Sequence, residues 1–306
     1  MQTREELKRS LVNLKHKYGE WSYDIPLPFD VWTNGNLKIP HTRLKRVVQI
    51  VSDLSEKPLS KCRILDLGCL DGIFSIEFAK HGSETVGVEI REANIKKAIF
   101  CAEALGLHNV EFRHDDVRNI SLESYGQFDA VICSGILYHL PAIDVIELIN
   151  SMYAIATRVV VIDTHVALNP VERFVHGDDE YWGRAFREHS DSATRDEKAK
   201  ALWASADNLT SFWFTRPSLV NVLNKAGFSS VYECFIPAHL NFGKPGLEHL
   251  DRCTFVAIKD DICDIATSPL ANTLQEKWPE QSLSYAPGGA SRPLYKRAIS
   301  RLKKMI

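Results

Sequence analysis

Ile64-Leu-Asp-Leu-Gly-Cys-Leu-Asp-Gly-Ile-Phe-Ser75 is an apolar run that breaks at a glycine turn and resumes as a helix-forming pattern. Strand, turn and helix in that order open a βαβ unit, and in an open α/β sheet the turn lies at the carboxyl edge of the strands, where nucleotide-type ligands sit. Gly68 and Gly72 let the backbone bend and approach a ligand closely. The spacing is not G-x-G-x-x-G, and Asp66 and Asp71 put two carboxylates where a dinucleotide pyrophosphate would be repelled. The turn therefore favours a ligand carrying an ammonium or sulfonium cation.

Outward from this stretch the same alternation continues. Short apolar runs at Arg63 to Leu67, Thr85 to Glu89, Val110 to Arg113, Phe128 to Cys133 and Val159 to Asp163 are separated by helical patterns at Gly72 to His81, Ala93 to Leu105 and Ala142 to Ala156. Right-handed crossovers with short loops make a doubly wound, mostly parallel sheet the expected α/β architecture. Glu89 ends the second run about twenty residues after the glycines, where an acid can accept both hydroxyls of a ribose. Asp115 and Asp116 follow the third run at the level of an adenine ring. A later helix is expected from Thr215 to Gly227, with Pro217 in its first turn and Gly227 as its cap, and strands at Val231 to Ile236 and Thr254 to Ile258 close the regular region. The intervening residues 164–212 are too long for a structureless loop and are expected to form a lid or inserted helical element.

Ahead of the sheet, Leu7, Leu11, Leu14 and Tyr18 fall at helical spacing, residues 20 to 40 carry aromatics and turn formers, and a second helix is expected from Thr42 to Leu54. Three parts follow: an N-terminal helical or cap segment at 1–58, the sheet domain at 59–260 with its insertion at 164–212, and a tail at 261–306. The tail ends in a basic amphipathic stretch, Pro293 to Ile306, read as a solvated terminal helix. The 306 residues contain 37 Lys and Arg against 39 Asp and Glu, a net charge of −2, which lacks the basic footprint of nucleic-acid binding. Seven cysteines without a C-x-x-C pattern suit reduced thiols. With charges at Arg4, Glu5 and Glu6 and no long apolar run, a cytoplasmic chain is expected.

Taken together, Asp66-Leu-Gly68-Cys69-Leu-Asp-Gly72, Gly87-Val-Glu89, Asp115-Asp116-Val117, Phe128 through Ser134-Gly135, and Arg216-Pro-Ser218 through Gly227-Phe228 resemble the class I S-adenosylmethionine-dependent methyltransferases over roughly residues 60 to 260. That resemblance implies a seven-stranded Rossmann-like sheet and S-adenosyl-L-methionine as cofactor. Asp66, Gly68, Cys69, Gly72 and Ser134 would surround its methionine part, Glu89 its ribose, and Asp115, Asp116 and Val117 its adenine. Leu70 departs from the family, which has a middle glycine there. Within the class, Gly72-Ile-Phe-Ser and Ser134-Gly-Ile-Leu-Tyr-His139-Leu look most like the branch with tRNA wobble-uridine carboxymethyltransferases and sugar O-methyltransferases.

Methyl transfer to a hydroxyl requires alignment, exclusion of water and removal of one proton. Groups able to take that proton must follow the fourth and fifth strands, and Tyr138, His139, Asp163 and His165 meet the condition. Residues 163–191 are rich in Asp, Glu and His, which suits a divalent metal, although no ligand spacing supports one. The six tryptophans avoid residues 60 to 160 and fall in the parts before and after the cofactor motifs. Those of the insertion, beside Arg173, Arg184 and Arg187, suit stacking against a sugar or other hydroxylated ring. The expected acceptor is thus a small molecule or glycan end group. A tRNA acceptor is the alternative suggested by Ser134 to His139, and a non-catalytic binding module is the one suggested by Leu70.

Overall fold

The computed structural model describes residues 3–35, 42–234 and 251–261. The expected C-terminal helix, Trp278, and the end of the strand placed at Val231 to Ile236 lie outside them. In chain order the elements are α1 (Arg4–Tyr18), β1 (Pro26–Leu27), β2 (Val31–Trp32), α2 (Thr42–Leu54), β3 (Arg63–Leu67), α3 (Ile73–Lys80), β4 (Glu84–Glu89), α4 (Glu92–Ala104), β5 (Val110–His114), α5 (Leu122–Tyr125), β6 (Phe128–Ser134), α6 (Ala142–Ile155), β7 (Ala156–His165), β8 (Glu172–His176), β9 (Asp179–Arg187), α7 (Arg195–Lys200), β10 (Thr210–Phe214), α8 (Arg216–Ala226), β11 (Ser230–Glu233) and β12 (Arg252–Ile258).

The central sheet has seven strands in the order β11-β12-β7-β6-β3-β4-β5. Strands β3 to β7 run parallel, and β12 is inserted antiparallel between β7 and β11. Both faces of the sheet are covered, which is why its strands read as nearly continuous apolar runs. Leu65, Leu67, Val131, Val160, Ile162 and Phe255 pack toward α6 and α8. Their neighbours Ile64, Ala130, Ile132, Val159, Val161 and Val256 pack toward α2 and α3. Outside α4, the N-terminal segment buries Leu7, Leu11, Trp21 and Ile25 with Ile76 and Cys101, and a Thr3–Glu6 capping box starts α1. Trp21 therefore serves packing.

The insertion differs from the expected helical element. It forms a three-stranded antiparallel sheet, β10-β9-β8, and its one helix is the short α7. Along β9 the alternation buries Tyr181 and Gly183 and exposes Glu180, Trp182 and Arg184, a period of two. Gly183 permits the sheet, because a Cβ there would lie 2.2 Å from the Trp213 carbonyl oxygen. No helix among the described residues is long and apolar enough to cross a membrane.

Candidate active site

At the carboxyl edge of β3, β4, β6 and β7 the chain encloses a cavity of about 380 Å³ whose walls include Tyr23, Gly68, Glu89, Asp116, Ser134 and His139. Gly68 has φ +66°, and a Cβ on it would lie 2.1 Å from Ile136 Cδ1 across the turn. Leu70, at the position of the missing glycine, also takes a left-handed backbone with φ +50°, and its amide donates to Glu89 Oε2 at 3.1 Å. The departure in sequence thus leaves a tight turn. Gly68→Ala is expected to cost about 1–2 kcal/mol through the left-handed backbone and to weaken binding of S-adenosylhomocysteine at least about tenfold, as the turn and Ile136 shift; unchanged affinity by calorimetry would refute this role for the turn.

The residues singled out in the sequence divide into cavity wall and support. Gly68, Glu89, Asp116, Val117 and Ser134 form wall. The hydroxyl of Ser134 is buried without a partner among the described residues, and so is available to a ligand. Glu89 is held by the Leu70 and Arg91 amides, while burial pushes its carboxyl above the ordinary value. Asp66, Cys69, Gly72 and Asp115 stand behind the wall. Asp66 accepts from the Ser75 amide at 3.1 Å and hydroxyl at 2.6 Å, and burial pushes it up to about 7. Burial also pushes the Cys69 thiol well up, and Gly72 caps α3 with a left-handed backbone. Asp115 takes the Tyr125 hydroxyl at 2.6 Å and Asn119 Nδ2 at 2.8 Å.

Asp71 has a task that the motif did not announce. Its carboxylate accepts the Ser22 amide and, at 3.4 Å, the Tyr23 amide, so the cofactor turn clasps the N-terminal segment and brings Tyr23 to the cavity. Burial pushes Asp71 up to about 6 against the pull of Lys97, whose Nζ donates to the Glu20 carbonyl at 2.9 Å.

The four candidates for proton removal have different surroundings. Asp163 is buried and accepts from Arg252 Nε at 2.6 Å and Thr254 Oγ1 at 2.7 Å, with Arg43 Nη1 at 3.3 Å and Arg46 Nη2 at 3.5 Å. Burial would raise its carboxyl, but Arg252 and Arg43 outweigh burial and hold it low. It is committed to organising cations. His165 lies 3.2 Å from Asp251 and stacks on Trp213, and Tyr138 meets His165 edge to face at 4.7 Å with Arg252 beside its ring. His139 Nδ1 lies 3.0 Å from Glu188 Oε2, whose side chain is only 1% exposed. A carboxylate can only accept, so Nδ1 donates, and in the neutral ring that leaves the lone pair on Nε2. Nε2 has no hydrogen-bond partner among the described residues. Burial alone would raise the Glu188 carboxyl; bonds from His139 and Ser211 outweigh it and hold it below the ordinary range.

Glu188, Arg43, Arg252 and Tyr23 are functional candidates that no motif identified. No group of three or more His, Cys, Asp or Glu side chains able to hold a metal ion occurs among the described residues. Of the acidic stretch, Glu172 receives the Ala185 amide, Glu180 pairs with Arg173, and Asp179 pairs with Lys225.

Residues 39–233 match the model of a family described as "Methyltransferase domain". The chain belongs to that family, within the class I S-adenosylmethionine-dependent methyltransferases. Among curated relatives, the ubiquinone biosynthesis O-methyltransferase of Acinetobacter baylyi is 33% identical over 79 residues, 26% of this chain and 33% of that protein. The enzyme of the same name from Psychrobacter cryohalolentis is 33% identical over 88 residues, 28% and 34% of the two chains. The matched region thus spans about one third of these relatives' length. Among solved structures, the N-terminal domain of EvdMO1, crystallised with S-adenosylhomocysteine and D-fucose, superposes with TM-score 0.62 at 23% identity, covering 85% of this chain and 97% of that domain. This likeness is one of fold.

Proposed function

We propose that this chain uses S-adenosyl-L-methionine to methylate a hydroxyl of a small hydroxylated acceptor, with a sugar or glycan end group preferred. The observation that carries the reading is His139, held from behind by the buried Glu188, on the wall of the same cavity that Gly68, Glu89 and Ser134 line. The cofactor suits that lining: a positive-φ turn closed to any Cβ, a buried hydroxyl at Ser134 with no partner among the described residues, and a carboxylate at Glu89. Glu89 would take the ribose hydroxyls, Asp116 and Val117 the adenine, and Gly68 with Ser134 the methionine part. When bound, the sulfonium supplies an activated methyl group and most of the driving force.

The remaining chemistry falls to the protein. His139 Nε2 accepts the proton of the acceptor hydroxyl, and Glu188 holds the ring in the required tautomer and balances the imidazolium that results. Tyr138 and His165, backed by Trp213, give the acceptor end flat walls that turn a ring toward Nε2. The O-methyltransferase names of the curated relatives support hydroxyl over nitrogen as the target class. Calorimetry with S-adenosylhomocysteine on purified protein is expected to show one-site saturable binding, and incubation of S-adenosylmethionine with a panel of sugars is expected to release S-adenosylhomocysteine. Absence of binding would overturn the reading; turnover confined to amines would overturn its O-methyl part.

A further inference from the structure

Two arginines rooted beside the nucleoside end of the cavity reach across to the insertion. Arg91, just after Glu89, donates to the carbonyls of Ala199 at 3.0 Å, Ala201 at 2.9 Å and Ala204 at 2.8 Å. Arg118, just after Asp116, clamps that carboxylate with Nε at 3.0 Å and also binds Asp207 and, at 3.4 Å, Asp144. The segment they hold, residues 199–208, lines the cavity with Leu202, Trp203 and Ser205. It then runs straight to the proton-removing pair. The Ser205 amide donates to Glu188 Oε2 at 2.9 Å, and Asn208 Nδ2 donates to the His139 carbonyl at 3.0 Å. Ser205 is buried, whereas Trp203 is 66% exposed although it lines the cavity.

These contacts connect the two ends of one site through a single stretch of chain. We propose that residues 199–208 form a strap by which the occupied nucleoside seat positions the base: a ligand against Glu89 and Asp116 fixes the strap through Arg91 and Arg118, and the strap sets Glu188 and His139 through the Ser205 amide and Asn208. Ser205 and Asn208 are positioning residues. Trp203 closes over the nucleoside, exchanging water for ligand, and this supplies the difference in contacts between empty and filled states without which no ligand shifts a conformation. Such coupling is reciprocal, so an acceptor engaging His139 tightens the cofactor by the same factor. The proposal rests on reading the cavity as the S-adenosylmethionine site.

S-adenosylhomocysteine is the probe. In the full chain labelled at histidine, with the His139 signal assigned by its loss in His139→Gln, saturation is expected to move the His139 ring resonance and to shift tryptophan emission to shorter wavelength, the latter change vanishing in Trp203→Phe. Asp207→Asn weakens the strap's hold on Arg118, and Asn208→Ala removes its bond to the His139 carbonyl. Both are expected to keep binding within about tenfold, on calorimetry, while the His139 response falls below half. A His139 resonance that is unmoved in the wild type, or that moves as far in both variants as in the wild type, overturns the strap while binding preserves the cofactor reading. Failure of the wild type to bind overturns both.

Discussion

His139→Gln is expected to lower kcat by roughly 10²–10⁴-fold, the usual contribution of a positioned general base, while S-adenosylhomocysteine affinity and the melting temperature change little. Glutamine keeps much of the volume and a donor toward Glu188 but offers no basic nitrogen to the cavity. Because His139 has a side chain that reaches both Glu188 and the cavity wall, its loss is expected in the chemical step and only weakly in binding, so that kcat and kcat/KM fall together. Glu188→Gln separates orientation from proton transfer: the imidazole stays, but its Nδ1 proton loses an ionised acceptor and the imidazolium loses its counter-charge. Its expected loss in kcat is in the same direction and smaller. A His139→Gln enzyme within about threefold of wild type would remove His139 as base, since that change is far below what proton transfer contributes, and would leave Tyr138 and His165 to be tested.

The parts of this protein legible in sequence were those built by near neighbours. The strand, the turn with Gly68 and Gly72, and the helix behind them are one contiguous stretch, and the apolar runs of β3 to β7 and the helical patterns between them each lie within single elements. Thr215 as helix cap, Pro217 in the first turn and Gly227 at the end were equally local. Partners far apart in the chain were not. Glu188 meets His139 across 49 residues, and Arg43 meets Asp163 across 120. Nothing in either local segment distinguishes such a glutamate or arginine from a solvated one.

The inserted sheet was hidden for a different reason. Of the five residues of β8, Glu172–His176, only Phe174 and Val175 are apolar, and exposed polar side chains mask the alternation that buries Tyr181 and Gly183 on β9. A strand with one wet face presents few apolar residues to any pattern, and Gly183 reads as a breaker although Trp213 and Phe212 crowd it in the sheet. Of the insertion's tryptophans, Trp213 donates its indole Nε1–H to the Tyr138 carbonyl at 2.9 Å and stacks between His165 and Phe186, so it builds the acceptor end from behind. Trp182 stays exposed on the outer face of that sheet.

The second large effect concerns stability. Asp163→Asn is expected to destabilise the fold by roughly 3–5 kcal/mol at neutral pH, the range for removing one partner of a buried ion pair, because the Arg252 guanidinium, itself buried, would lose its counter-charge. The folded-state carboxyl titrates below its ordinary value, so its contribution is present above the unfolded value of about 3.9 and is lost as pH falls through the folded one. Urea unfolding of wild type and variant should therefore diverge most at neutral pH and converge in acid. A difference under about 1 kcal/mol at pH 7 would mean that water compensates Arg252, contrary to its burial. Replacing both members with apolar residues, Asp163→Leu with Arg252→Met, tests why the pair exists. Buried pairs are often dispensable for stability when both charges go, so this variant should recover much of the loss. It should not recover activity, because Arg252 also faces Tyr138 and the cavity, and Arg43, steered by Asp163, brings its second contact to the Tyr23 hydroxyl. A cluster kept only for folding would let the double variant turn over normally; one kept to aim cations and tyrosines at the acceptor end would not.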